Sequence, residues 1–174
     1  RLMEVLHIKP EDRKVVLPAR KAAEEARTSR KGDKGIFCGA AIELPDGSIV
    51  TGRNSELFHA AGAVVLNAAK KLAGIPDRIH LLPPAVTASI GALKRDVLGR
   101  KSESLNLDET LIALSVSAAT NPAAQAAMES LKELAGCELH LSHVPGPGDE
   151  AGLRNLGVNA TCDAALAVRL PAAK

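Results

Sequence analysis

Residues 36–71 read IFCGAAIELPDGSIVTGRNSELFHAAGAVVLNAAKK, and this stretch decides the fold class. β-Rich runs lie on both sides of Pro45-Asp46-Gly47, whose backbone preferences favour a tight reversal, so the first half reads as a β-hairpin. The second half is an Ala-rich helix from about Leu57 to Ala73, with Ser55 able to cap its start and Gly74 and Pro76 to end it. His59 falls in the first turn of that helix. A hairpin running into a helix that opens on a histidine raises the question of a metal site.

Upstream, Pro10 followed by Glu11 and Asp12 suits a helix start, because proline tolerates the first turn and carboxylates favour its positive end. Pro18 must then kink one helix or separate two, and KGDKG (31–35) ends the segment. The opening RLMEVLHIKPEDRKVV reads as a helix already under way, without the apolar region of a signal peptide, as expected of a piece of a longer protein. Residues 1–34 are therefore read as a helical arm or linker from an N-terminal part, and 35–174 as one α/β domain.

Downstream, RIHLL (78–82) reads as a short strand and Pro83-Pro84 leads into a helix through Leu98. Asn106 with Glu109 makes a capping-box pattern, and Asn121-Pro122 starts a further helix to Leu134, closed by Gly136. CELHLSHV (137–144) reads as a strand, PGPGDEAGLRNLG (145–157) as a turn and short helix, and VNATC (158–162) as a last strand. Strands alternating with helices after a hairpin predict a mixed sheet with flanking helices. The order of elements resembles the cytidine-deaminase-like architecture, and a shared fold does not carry a function with it.

Composition narrows the function classes. The chain is 46% hydrophobic with 1% aromatic residues, Phe37 and Phe58, so its core must be built from Ala, Val, Leu and Ile. A net charge of +2 with interleaved signs, and no stacking platform, speaks against a nucleic-acid partner. No apolar run is long enough to cross a bilayer, so no membrane partner is expected. Cys38, Cys137 and Cys162 are widely spaced and odd in number, which fits buried thiols in a reducing cytoplasm better than a disulfide framework.

Taken together, GAAIELPDGSIVTGRNSELFHAA, LNAAKKLAGIPDRIHLL, SLNLDETLIALSVSAATNPAAQAAMESLKELAGCELH and GDEAGLRNLGVNATCD resemble the C-terminal region of the bacterial family catalogued as domain of unknown function 1846. The resemblance covers Ile36 to Asp163 in order. It implies an N-terminal α/β part with a glycine-rich, phosphate-loop-like segment, where a nucleotide is possible, and a label of ATP-dependent zinc protease on some members. No nucleotide residue carries over, and no cofactor is expected in this chain.

A zinc protease of the zincin type needs two histidines one helical turn apart with a glutamate between them, and no H-E-x-x-H occurs. A zinc deaminase needs a glutamate two residues after its histidine and a later cysteine pair; here Ala61 follows His59 and the pair is missing. His59 is thus expected to cap or pack, and no metal is expected. In HLSH (140–143), strand alternation places Glu138 and His140 with Ser142 on one face and His143 on the other, so one metal reaches both histidines only if the strand ends between them. His7 and His80 offer nothing comparable. Asp149 and Glu150 occupy a glycine-flanked helix start, where they would repel phosphate and supply the charge that the helix dipole favours.

The remaining polar residues sit at element ends: Asn54, Ser55 and His59 after the hairpin, Thr120 and Asn121 at a helix break, Glu138 and His140 on a strand, and Asp149 with Glu150. Ligands of α/β sheets favour strand ends, so these nine are the candidate ligand-binding residues. The expected function is assembly or small-ligand binding for a larger bacterial protein, with a homo-oligomer and the protein's own N-terminal part as partners. The alternative is half of a hydrolase or transferase site shared with that N-terminal part. Convergence of Asn54, His59, Asn121, His140 and Asp149 would favour the enzyme. One Ala-rich helix, the first more than the second, is expected to keep an apolar face for docking.

Overall fold

The computed structural model describes residues 8–167; Arg1–His7, expected to begin within a helix, and residues 168–174 lie outside the described residues. Pro10 opens a single 3₁₀ turn, Pro10–Asp12, and helix α1 follows at Val16–Thr28. Pro18 sits in the first turn of α1, where its missing N–H leaves no bond unmade. The break between the 3₁₀ turn and α1 falls before it, at residues 13–15, so Pro18 does not separate two helices.

The hairpin forms as expected, with strand β1 at Gly39–Glu43 and β2 at Ile49–Arg53 in antiparallel register. Asp46 accepts from the Ser48 N–H and hydroxyl, and Gly47 takes φ +80°, which completes the reversal. Helix α2 follows at Ala60–Leu72, α3 at Pro84–Ala92 with a π turn Leu93–Val97 continuing it, α4 at Leu107–Ala118 and α5 at Pro122–Ser130. Strand β3 is Glu138–Leu141, α6 is Pro147–Asn155 and β4 is Asn159–Cys162. The four strands make one mixed sheet in the order β2-β1-β3-β4, with only β3 and β4 parallel.

RIHLL is not a strand: Leu81 and Leu82 are buried in a second apolar cluster among α2, α4 and α5, away from the sheet. The His80 and Leu81 carbonyls accept from the Asn121 side chain in place of a ladder partner. Helix α2 starts at Ala60, later than the sequence predicts. Ser55 does not cap it; its hydroxyl accepts from the Leu57 and Phe58 N–H groups in a preceding turn. The capping box of Asn106 and Glu109 and the Asn121 cap both form.

Two layers of helix enclose the sheet. On one face α1 lays Ala19, Ala22 and Ala26 against β1, and Val15 joins Ala19 over Ala41. The helix read as part of an arm therefore rests on the sheet. On the other face α2 packs Ala61, Val64, Val65 and Ala68 against Ala40, Ile42, Leu139 and Leu141, with Leu107 of α4 and Leu153 of α6 beside them. Helix α2 spends its sheet-facing side on this core. Ala69 is buried, and Ala63 lines a 630 Å³ cleft toward α3 together with the outward-facing Asn67 and Lys70. Exposed large apolar side chains include Leu93, Val97 and Leu98 in the α3 segment, Ile112 and Val116 on α4, and Met128 on α5. No helix among the described residues is long and apolar enough to cross a membrane.

Candidate functional site

Because β1 is antiparallel to both neighbours and β3 is parallel to β4, the ends of β2, β3 and β4 meet the start of β1 at one edge of the sheet. Asn54, Ser142 with His143, Asp163 and Cys38 are the residues just beyond those ends. Helices α2 and α6 both begin at the same edge. The arrangement places a crevice outside strand C-termini, where α/β sheets hold ligands.

His59 is the N-cap residue of α2, with extended backbone and no side-chain bond into its own helix. Its ring points across to α6, where Nδ1 lies 2.7 Å from Asp149 Oδ2. Asp149 is 1% exposed and its other oxygen accepts from the Leu107 N–H at 2.8 Å, at the start of α4. One carboxylate thus joins three helix N-termini. An ionised carboxylate only accepts, so the His59 nitrogen on this side carries a proton, and Nε2 lies on the opposite, partly exposed side of the ring.

Around this pair lies a 140 Å³ cavity lined by Asp33, Cys38, Asn54, His59, Ala60, Ser102, Ser104 and His143 among others. Asn54 is 6% exposed; its Oδ1 accepts from the Cys38 N–H and its amide donates to the Ile36 carbonyl, tying the exit of β2 to the entry of β1. Burial, reinforced by the Asp149 charge, pushes the Cys38 thiol up to about 12, so it remains protonated at neutral pH and is no thiolate nucleophile. His143 is buried, and its Nδ1 has no hydrogen-bond partner among the described residues. Among the described residues no group of three or more His, Cys, Asp or Glu side chains is arranged to hold a metal ion.

The other predicted residues lie elsewhere. Glu138 and His140 face α1, as strand alternation requires, while Ser142 is past the strand and its hydroxyl accepts from the Gly39 N–H. Arg13 binds Glu138 and the Thr161 hydroxyl, and Arg20 forms a two-point pair with Asp163 at 2.7 and 2.9 Å. His140 Nδ1 meets Thr161 Oγ1 at 2.8 Å, while Nε2 stands 3.3 Å from Asp163 Oδ1, too poorly aligned for a hydrogen bond. This polar set fastens the α1 side to β3 and β4. Asn121 is a local cap, Thr120 precedes it at the helix break, and Glu150 pairs with Arg154 on the surface. Of the five residues whose convergence was to decide, Asn54, His59 and Asp149 meet, and Asn121 and His140 do not.

Sequence reading missed Ser102 and Ser104, which reach the cavity because a bridge between Phe58 and Leu105 draws their loop to the start of α2. It set His143 aside; the strand does end between the two histidines, and Pro145 with Gly146 just beyond was the available signal. Of the thiols, Cys38 and Cys137 are buried and Cys162 is exposed, which corrects the expectation for the third.

Two histidines carry a pH consequence. Burial lowers the pKa of both His140 and His143 below the ordinary 6.5. In the unfolded chain they take up protons first as pH falls, so their contribution to stability is full above 6.5 and is lost as pH drops through the lowered folded values. Glu138 and Asp163, held down by Arg13 and Arg20, add a second loss as pH falls below the ordinary carboxylate range toward their lowered folded values. Thermal midpoints should be flat between about pH 7 and pH 8, fall from about pH 6.5 downward, and fall again above about pH 9, where the unfolded thiol ionises and buried Cys38 does not. His140→Gln and His143→Gln should each flatten the upper part of that fall, and an unchanged slope in both variants would remove the histidines from the account.

The sequence profile described as "Domain of unknown function DUF1846, C-terminal" matches residues 11–169. A UPF0371 protein of Clostridium botulinum (strain ATCC 19397 / Type A) is 47% identical over 163 residues, covering 93% of this chain and 32% of the relative. UPF0371 proteins of Clostridium tetani (strain Massachusetts / E88) and Clostridioides difficile (strain 630) are 44% and 46% identical, again over 93% of this chain and 32% of theirs. The chain spans about a third of the length of these relatives. With the profile matching nearly all of it, the chain belongs to the family of DUF1846 C-terminal domains.

Proposed function

We propose that this domain supplies the acid–base histidine of a small-ligand site that is completed by other parts of the longer protein. The observation that carries it is the His59–Asp149 pair, in which a carboxylate locked by the Leu107 N–H orients an imidazole whose Nε2 is left for a ligand. A histidine used only as a cap would turn toward its own helix, and His59 turns away from it. The pair has the base and its orienting group but no activated nucleophile beside it, since Cys38 is protonated and Ser104 donates to the Ser55 carbonyl. That combination fits general-base activation of a water or of a ligand hydroxyl in hydrolysis or group transfer.

The test uses the full-length protein with p-nitrophenyl acetate and p-nitrophenyl phosphate as reporters of acyl and phosphoryl transfer. Turnover should fall by about 10²–10⁴-fold in His59→Ala. Ring nitrogen NMR gives an independent readout: His59 should carry its proton on Nδ1. Turnover unaffected by His59→Ala, or a proton on Nε2 instead, removes the histidine from this role.

A further inference from the structure

The first three N–H groups of α2, from Ala60, Ala61 and Gly62, have no acceptor among the described residues. The first bond of the helix is from the Ala63 N–H to the His59 carbonyl, and the first turn holds no acidic side chain. Ala60 and Ala61 are each 1% exposed, so bulk water does not supply the missing acceptor freely. Of the other helix starts at this edge, α4 is served by its capping box and Asp149, while α6 has two acidic side chains in its first turn. Buried donors left over at a helix start call for a partner.

A second observation is independent of the helix. His143 is 7% exposed, has no hydrogen-bond partner at Nδ1 among the described residues, and lines the same 140 Å³ cavity as Ala60 and His59. Burying an imidazole without a partner costs stability and is retained where something else supplies the bond. His143 also lines the adjoining 240 Å³ cavity, together with Arg20, Arg27 and Ser142.

We propose that the ligand of this site is anchored by an anionic oxygen group, a phosphate or a carboxylate, seated between the N-terminus of α2, His59 and His143. The proposal deepens the acid–base reading and rests on it for the role of His59. The groups that converge are hydrogen-bond donors or can become so: backbone N–H groups that only donate, and two imidazoles. Both Asp149 oxygens are engaged, one by the Leu107 N–H and the other by the His59 ring, and its charge opposes the anion that the N–H groups at the α2 start favour. Asp33 lines the same cavity, with Oδ2 taking the Ser102 hydroxyl, and its remaining oxygen offers an acceptor for a hydroxyl or amine of the same ligand. A cavity of 140 Å³ takes one oxyanion group, and the rest of the molecule extends into the neighbouring space, where Arg20 and Arg27 are paired with Asp163 and Glu24.

Inorganic phosphate and acetate are the probes, titrated into the full-length protein at constant ionic strength with chloride as control, and followed by the ring resonances of His59 and His143. A saturable shift of both histidines is expected. Phosphate acting alone assigns a phosphorylated ligand, and acetate acting alone assigns a carboxylate. His143→Leu removes a buried group without a partner, so it should fold at least as well as the parent while weakening the anion about tenfold. Ala60→Asp places a competing carboxylate at the helix start and should abolish the shift. If neither anion moves the ring resonances beyond chloride, or if His143→Leu binds phosphate and acetate as the parent does, the inference fails. A proton on Nδ1 of His59 in that case leaves the acid–base reading standing alone. Anion binding that persists unchanged in His59→Gln and weakens in His143→Leu overturns the seat at His59, and turnover lost in His59→Ala in that case leaves the acid–base reading standing.

Discussion

Replacing Asp149 by alanine is expected to destabilise the domain by about 3–5 kcal/mol, seen as a loss of that size in the denaturant-unfolding free energy. The carboxylate is 1% exposed and takes hydrogen bonds from the Leu107 N–H at 2.8 Å and the His59 ring at 2.7 Å. Truncation leaves the Leu107 N–H buried without an acceptor and removes the one side chain that joins the starts of α2, α4 and α6. Asp149→Asn separates structure from chemistry. Its amide oxygen can still accept from Leu107, so stability should fall by only about 1–2 kcal/mol. Its NH₂ then faces His59 and forces the ring proton to Nε2, which removes the lone pair that the proposed function uses. Ring nitrogen NMR and unfolding curves on the same two variants check both statements. Equal losses for the two variants would mean that Asp149 acts through its charge on the helix starts and not through the Leu107 bond.

The second large effect is expected at two glycines of the hairpin. A Cβ at position 39 would stand 2.2 Å from the Ala19 carbonyl oxygen and 2.4 Å from the Ala23 nitrogen, both backbone atoms of α1. A Cβ at position 52 would stand 2.2 Å from the Val64 nitrogen in α2. Neither obstacle can rotate away, so one methyl group on either strand must lift a helix from the sheet. Gly39→Ala and Gly52→Ala should each cost about 3 kcal/mol or more, near the upper end for overpacking. Gly47→Ala, at φ +80° with open space around the site, should cost about 1 kcal/mol through backbone strain alone. Chemical denaturation of the three variants orders them, and a Gly39 or Gly52 variant as mild as the Gly47 variant would refute the close approach. The chain has 1% aromatic residues, and close approach of Ala and Gly surfaces replaces bulky side chains as its means of burying the sheet.

The polar residues divide between these effects according to what surrounds them. Asn54, buried and bonded at both ends of its amide, positions the entry to β1 and reaches the cavity only as a wall. His59 and Asp149 share a bond between residues 90 positions apart, and that bond is what turns two helix-start residues into a site. Glu138 and His140 were readable as one face of a strand, yet their partners Arg13, Thr161 and Asp163 come from both ends of the chain.

What the sequence determined by itself are the features made by neighbours along the chain. The reversal at Pro45-Asp46-Gly47, the box of Asn106 and Glu109, the Asn121 cap and the alternation along β3 all depend on contacts within about four residues, and all are present. The tertiary structure alone decided where α1 lies, that RIHLL joins a helical cluster and not the sheet, and which polar residues meet. An apolar run buries equally well against a helix or a strand, so its pattern does not name its partner. Helix starts attract Asp and Asn for local reasons whether or not a site is present. Only the antiparallel placement of β1 between its neighbours brings the starts of α2 and α6 to one edge, and with them His59 to Asp149.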